Sequence, residues 1–344
     1  MPKILRRLLP GIPERFLTAL ALALLFIVGL TLDQMHWWQS KPDYAFGWLV
    51  PMFVVYLVFE RWTKLPEIFR VIGPSPLPRW LSTMVTSVAG LSLGFGLIFF
   101  LLGAVYRAGS GVTQPGSLAL AVGFAGVLLG MIYFNVPEGR VGNEQSVSGW
   151  RALWFDARLR AVSLFVFPAL IWILSAPLVT AVENAISLML LRKVITVVFT
   201  VFSLLGYPLI QEGNVLVLPL GQVGVADACS GIRSLTACLF AGSFLAAVFL
   251  DKTWKKILLV ALAMGFAFVT NLLRSLFLTA WAYAYGSDAI EGKLHDATGY
   301  AVLGLTSIGL LCFLPLFNSA NWYRWLGFGP KKFRLPAGDR NQAQ

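Results

Sequence analysis

The sequence predicts an all-α polytopic membrane protein with about eight transmembrane helices, and its composition carries that prediction. Of the 344 residues, 58% are apolar and only 12% are charged, and the mean hydropathy is +0.75. A soluble domain is nearer half apolar and a quarter charged, so this chain has too little polar surface to cover a globule in water. The composition therefore excludes the disordered, collagen-like and ordinary cytosolic classes.

The net charge of the chain is +11, from 27 Lys and Arg residues against 16 Asp and Glu residues. In a soluble protein this excess would suggest nucleic-acid binding. In a membrane protein, basic residues collect in the cytoplasmic loops instead. We therefore predict no nucleic-acid partner and use the basic residues to orient the chain.

Eight apolar stretches approach or exceed the length of about 20 residues that a membrane-spanning helix requires. The second is short and contains Pro51, so its bounds are the least defined. The first follows four basic residues, as a signal peptide would, but it is long and no small-residue cleavage site follows it, so we interpret it as a retained helix. The stretches run approximately from Phe16 to Leu32, Ala45 to Phe59, Leu81 to Val105, Ser117 to Phe134, Ala161 to Leu178, Gly231 to Leu250, Ile257 to Tyr283 and Thr298 to Phe317.

A ninth stretch, about Ile186 to Leu205, contains Arg192 and Lys193 side by side. If it does not cross the membrane, 20 of the 27 basic residues lie on the cytoplasmic side, whereas a crossing would move two basic segments outside. The two adjacent cations would also cost roughly 2.5 to 3.5 kcal/mol each at mid-bilayer. We therefore predict eight spans in the cell inner membrane, both termini in the cytoplasm, and an amphipathic helix at the outer surface.

The segment 179–228 is predicted to be an extracytoplasmic insert before the sixth span. From Gly213 to Asp227, short β-branched runs flank a Pro/Gly turn, which predicts a small β-hairpin. Such backbone cannot face lipid, so the hairpin must lie in water or pack on protein. The predicted organisation is an N-terminal four-helix membrane region (1–160), a second membrane region that contains the insert (161–330) and a cytoplasmic tail (331–344).

Two further patterns concern packing within the spans. The pairs Gly90/Gly94 and Gly126/Gly130 have the four-residue spacing of small residues at helix contacts, and we expect both to pack against a neighbouring helix. Arg107 lies near the end of a span, where an Arg side chain ordinarily extends to the lipid headgroups.

Three chemically reactive groups are predicted at one depth on the outer side. At a rise of 1.5 Å per residue, Cys229 lies about 34 Å before the cytoplasmic turn at Lys252, and Arg274 lies about 27 Å beyond the end of that turn. His295 lies about 33 Å from the end of the last span. A thiol, a guanidinium and an imidazole from three consecutive helices therefore converge on one face.

These three groups suit acyl transfer. A Cys229 thiolate is a nucleophile that a helix N-terminus stabilises, and His295 can act in turn as base and acid. Arg274 can hold an oxyanion or a substrate carbonyl, although Arg233, one turn after Cys229, competes with it for that role. Further residues could support the site: Asn271 and Asp296 beside Arg274 and His295, and Asp227 or Ser230 as a helix cap.

The remaining cysteines and histidine are interpreted as structural. The chain has three cysteines and two histidines, so neither a disulfide framework nor a metal site is predicted, and no cofactor is expected. We interpret Cys238 and Cys312 as small apolar residues in helix packing. His36, in a Trp-rich loop, is interpreted as a residue of the membrane–water interface.

Three short motifs resemble those of the exosortase/archaeosortase family of membrane cysteine transpeptidases. Residues 228–235 (Ala-Cys-Ser-Gly-Ile-Arg-Ser-Leu) are similar to its Cys signature, residues 271–274 to its N-x-x-R element and residues 295–299 to its H-x-x-x-G element. The resemblance covers roughly Gly206 to Phe317. It implies that Cys229, Arg274 and His295 are catalytic in cleaving exported proteins that carry a Pro-Glu-Pro-like motif, a membrane helix and basic residues at their C-terminus.

Other functions remain open at this point. A membrane cysteine protease that hydrolyses rather than transfers fits the same residues. A polytopic transporter, or a non-catalytic assembly protein for envelope polysaccharide or protein export, could use Arg274 and Asn271 to line a polar path. Few acidic residues lie within the predicted spans, which disfavours a proton-coupled carrier.

Overall fold

The computed structural model describes residues 11–142, 149–224, 232–250, 252–290 and 292–318. Within these ranges, nine helical segments are long and apolar enough to cross a membrane, and the only sheet has three short strands. The prediction of an all-α polytopic membrane protein is confirmed. The helices are α1 (Glu14–Ser40), α2 (Val50–Trp62), α3 (Leu65–Phe69), α4 (Arg79–Ser110), α5 (Gln114–Asn135), α6 (Ala157–Ser175), α7 (Thr180–Leu204), α8 (Ile232–Phe249), α9 (Thr253–Tyr285) and α10 (Lys293–Asn318).

The second span is longer than the sequence indicated. A 3₁₀ helix, Pro42–Leu49, leads directly into α2, so the apolar segment runs over Pro42–Trp62. Pro51 lies in the first turn of α2, where its missing N–H would have no partner within the helix. Pro51 therefore starts this helix rather than interrupting it.

Helices α4 and α5 pack through glycines, but only one of the two predicted pairs takes part. A Cβ added to Gly126 would lie 2.7 Å from the Ser92 carbonyl oxygen, and one added to Gly130 would lie 2.7 Å from Leu93 Cβ. The prediction for Gly90/Gly94 is wrong, since nothing lies within 4 Å of a Cβ at Gly94 and only the edge of one ring reaches that distance at Gly90. The close approach on α4 occurs instead at Gly96 and Gly103.

Several chain segments meet at one end of the bundle, which we term the Asp43 end. Trp38 Nε1 of α1 donates to the Ser175 carbonyl at the end of α6 (3.3 Å), and Asp43 follows α1 in the chain. Arg107 of α4 pairs there with Asp33 of α1, which is 1% exposed. Arg107 is therefore held by a buried carboxylate, a partner that the expectation of a headgroup contact did not include.

Helix α9 runs antiparallel to both α8 and α10. The start of α8 lies at the Asp43 end, because the Thr236 hydroxyl donates to the Asp43 carbonyl (3.0 Å). A short turn joins α8 to α9, and α9 packs on α10 with the Thr270 and Thr306 hydroxyls 3.0 Å apart. The end of α9 and the start of α10 therefore lie at the Asp43 end too.

The small sheet contains the predicted hairpin and one additional strand. Strands β1 (Ile210–Glu212), β2 (Val215–Leu218) and β3 (Gly221–Gly224) are antiparallel in the order β1-β2-β3. The prediction of a hairpin holds for β2 and β3, whereas β1 was not predicted. Leu216, Leu218 and Val223 point to the buried side of the sheet, where they pack with α7 and the end of α9.

Helix α7 begins and ends at the same end of the bundle. Near its start, the Thr180 hydroxyl bonds to Gln114 at the beginning of α5, and Gln114 Nε2 donates to Glu183 (3.0 Å). Near its end, the ring of Phe202 lies 6.2 Å from that of Tyr283 on the last turns of α9. Length and composition alone would allow α7 to cross a membrane. However, its first and last turns both contact residues at the Asp43 end.

Candidate active site

Two of the three predicted catalytic groups are in direct contact. Arg274 lies on α9 and His295 in the first turn of α10. Arg274 Nη2 lies 3.0 Å from His295 Nε2 and also donates to the His295 backbone carbonyl at 3.0 Å. The expectation that these residues share one depth is therefore met in the structure.

The contact with Arg274 indicates the protonation state of the His295 imidazole. A guanidinium has five N–H donors and no acceptor, so Arg274 Nη2 must donate and His295 Nε2 must accept. The imidazole in this arrangement is consequently neutral, with its proton on Nδ1. A neutral histidine can take a proton, which is the first requirement of a general base.

Thr298 and Gly299 complete the surroundings of the guanidinium. Arg274 Nε donates to the Thr298 hydroxyl (3.2 Å), which itself donates to the His295 carbonyl (2.8 Å). Gly299 lies alongside, since a Cβ there would be 3.6 Å from Arg274 Nη2. Sequence reasoning missed Thr298, although its place one turn after His295 was a signal that could have identified it.

The second candidate cation, Arg233, is held from a distant part of the chain. Arg233 Nε donates to Asp43 Oδ1 (3.3 Å), and the side chains are 56% and 30% exposed. Asp43 is therefore a further candidate for the site, which the sequence did not reveal because 190 positions separate it from Arg233.

The supporting residues occupy different environments. Asn271 is 3% exposed on α9, one turn before Arg274, and its backbone carbonyl accepts the Ser275 hydroxyl at 3.0 Å. Asp296 is exposed next to His295, and its N–H donates to the Gly292 carbonyl (3.1 Å). Asn271 thus lies on the buried side of α9, while Asp296 faces outward.

Cys229 and Ser230 lie outside the described residues. The described part of α8 begins at Ile232, and Gly242 of α8 lies against Ala263 of α9. Because paired residue numbers in antiparallel helices keep a constant sum, Ile232 lies at the level of about residue 273. The start of α8 is therefore at the depth of Arg274.

The two other cysteines lie farther along their helices, Cys238 about 9 Å beyond Ile232 in α8. Cys238 is 4% exposed on α8 and Cys312 is exposed on α10. Cys312 follows His295 by about 26 Å of helix. Neither thiol is placed to replace a nucleophile at the start of α8.

The fold and the site define a polytopic membrane protein with an Arg–His pair at one end of its helices. The chain matches the model of the family described as transmembrane exosortase over residues 37–312. Since that match covers most of the chain, the protein belongs to the transmembrane exosortase family. Its class is that of multi-pass membrane proteins with a transpeptidase role toward exported proteins. No curated protein and no solved structure matches the chain.

Proposed function

We propose that this protein is a cysteine transpeptidase that cleaves the C-terminal sorting signals of exported proteins at the outer face of the inner membrane. The Arg274–His295 contact is the observation that carries the proposal, since it joins an acid–base group to a permanent cation at the end of two helices. The nucleophile is Cys229. It precedes Ile232 by three residues, so the chain keeps their Cα atoms within about 11 Å.

In the first half of the reaction, neutral His295 takes the thiol proton and the Cys229 sulfur attacks the scissile carbonyl carbon. The oxyanion that forms is stabilised by the Arg274 guanidinium. Collapse of the tetrahedral species breaks the C–N bond, and His295 returns its proton to the leaving amine. A thioester to Cys229 remains.

The observed contact explains how Arg274 becomes available to the oxyanion. Nε2 of His295 must give up its bond from Arg274 before it can accept a proton, and an imidazolium then repels the guanidinium. Protonation of His295 and release of Arg274 toward the oxyanion are therefore one coupled event. In the second half, His295 deprotonates an acceptor nucleophile, which attacks the thioester and expels the thiolate.

The proposed topology has eight crossing spans, with α7 and the sheet on the outer side together with the site. Both ends of α7 contact the Asp43 end of the bundle, which supports a helix that does not cross. Seven basic residues lie outside the predicted cytoplasmic segments, and three of them are paired with acids. These pairs lower the net positive charge at the Asp43 end, so the excess of positive charge lies at the opposite end, as expected of the cytoplasmic side. The pairs are Lys41–Glu183, Arg107–Asp33 and Arg233–Asp43.

Substitution of the cysteines tests the proposal directly. In cells that co-express a protein with a Pro-Glu-Pro-type C-terminal signal, we expect Cys229→Ala to abolish processing, while Cys238→Ala and Cys312→Ala process it normally. Normal processing by Cys229→Ala would overturn the enzymatic reading. Added hydroxylamine tests for the intermediate, since capture of the acyl group as a hydroxamate indicates a thioester acyl-enzyme.

A further inference from the structure

A large cavity lies at the opposite end of the bundle from the Arg–His pair. Its volume is about 1050 Å³, at the upper limit of small-molecule sites, which occupy about 300 to 1,000 Å³. It lies between α4 and α6. Residues of the 3₁₀ helix Gly149–Trp154 and of the short helix α3 also line it. No step of the proposed reaction uses this cavity.

The cavity has apolar walls and a charged rim. Met84, Val85 and Val88 of α4 form one wall, and Leu159 and Leu164 of α6 form the other. Lys64 and Arg160 lie at the rim with a single acid, Glu67. Among the described residues neither cation forms an ion pair, and both are exposed. The site therefore offers positive charge directly beside hydrocarbon.

Exposed tryptophans mark the level of the rim. Trp80 and Trp150 are 58% and 64% exposed, and their rings pack edge to face at 6.0 Å. Trp154, which lines the cavity, is 69% exposed. Because Trp side chains collect at the headgroup level of a bilayer, the charged rim lies among headgroups and the apolar walls lie among acyl chains.

We propose that this cavity binds an anionic glycerophospholipid. The phosphate would lie between Lys64 and Arg160, and an acyl chain would lie along Met84 and Val88. Basic pockets between transmembrane helices recognise anionic headgroups in this way. A zwitterionic lipid would bind less well, because its own cation would face the same two side chains.

The test uses the full-length protein, purified in detergent and supplied with phosphatidylglycerol or with phosphatidylcholine of the same acyl chains. Native mass spectrometry counts the retained lipid, and thermal unfolding reports its effect. We expect selective retention of phosphatidylglycerol and an unfolding temperature raised by several degrees. Equal retention of the two lipids would overturn the proposal.

Variants distinguish lipid binding in this cavity from a general attraction of anionic lipid to the basic surface of the protein. We expect Lys64→Gln/Arg160→Gln to lose the preference at least tenfold, while Arg70→Gln/Arg151→Gln, a pair of exposed cations that do not line the cavity, keeps it. Met84→Trp, which fills the acyl wall and leaves the cations in place, should lose retention as well. The proposal fails if both double variants behave alike, if Met84→Trp retains the lipid, or if glycerol phosphate without acyl chains stabilises the protein as much as the lipid.

Discussion

Arg274 Nη2 on α9 lies 3.0 Å from His295 Nε2 on α10, and the same nitrogen donates to the His295 carbonyl. With Thr298 bound at Nε, the guanidinium is oriented at three points by the first turns of a single helix. When the Nη2–Nε2 contact breaks, Thr298 and the His295 carbonyl still hold the guanidinium near the imidazole, so it remains oriented as negative charge develops nearby. The pair therefore has a stronger claim to catalysis than either residue would have alone.

Replacement of Arg274 tests its role as the oxyanion group. We expect Arg274→Gln to slow acyl-enzyme formation by about 100- to 1,000-fold, the range for loss of one such donor. Arg274→Lys should recover part of the rate, because it keeps the charge but not the fork of donors. Single-turnover cleavage in membranes measures both variants. Arg192→Gln on α7 is the matched control and should react normally, and a normal rate for Arg274→Gln would transfer the role to Arg233.

The Arg233–Asp43 pair is expected to act as a unit in positioning rather than in stability. Because the Arg233 side chain is exposed and that of Asp43 is partly exposed, their coupling energy for unfolding should be about 1 kcal/mol or less. Asp43→Asn should nevertheless slow processing, and this effect should vanish in an Arg233→Gln background. Processing rates and unfolding temperatures of the wild type, the two single variants and the double variant form a double-mutant cycle that measures this coupling. Additive rate effects would show that Asp43 acts independently, and Asp288→Asn, at another exposed acid, serves as the control.

The contact between α4 and α5 predicts opposite outcomes for two glycines two positions apart. A Cβ at Gly96 would lie 2.6 Å from the Val127 backbone nitrogen, whereas nothing lies within 4 Å of one at Gly94. Since backbone cannot move aside, Gly96→Ala should destabilise the protein by roughly 1 to 3 kcal/mol. Gly94→Ala should stay within about 0.5 kcal/mol of the wild type. Thermal unfolding in detergent compares them, and equal unfolding temperatures would refute this packing.

Cysteine labelling tests whether α7 crosses the membrane. In a background with all three native cysteines replaced by alanine, Ala181→Cys and Leu204→Cys introduce thiols at exposed positions near the two ends of α7. We expect an impermeant maleimide to label both in intact cells. Thr63→Cys, an exposed position in the predicted cytoplasmic loop at the opposite end of the bundle, should react only after permeabilisation. Labelling of Leu204→Cys only after permeabilisation would mean that α7 crosses.

Much of the fold was predictable because the membrane imposes a local rule. A chain segment in hydrocarbon must satisfy its own backbone hydrogen bonds and present apolar side chains, so each helix is visible in a window of about 20 residues. The β2–β3 hairpin was predictable for a similar reason, since β-branched runs and a Pro/Gly turn are local signals. The glycine pairs show the limit, because the spacing of Gly90 and Gly94 gives a small-residue face but not the helix that would meet it.

By itself, the sequence determined the membrane class, most of the helices and the common level of Arg274 and His295, because each depends on composition or on the fixed rise of a helix. Only the tertiary structure decided the partners. Asp43 meets Arg233 and Asp33 meets Arg107 across long stretches of chain, and α7 returns to the end from which it starts. Such contacts follow from the relative placement of whole helices, which is the sum of many weak packing interactions and leaves no local pattern in the sequence.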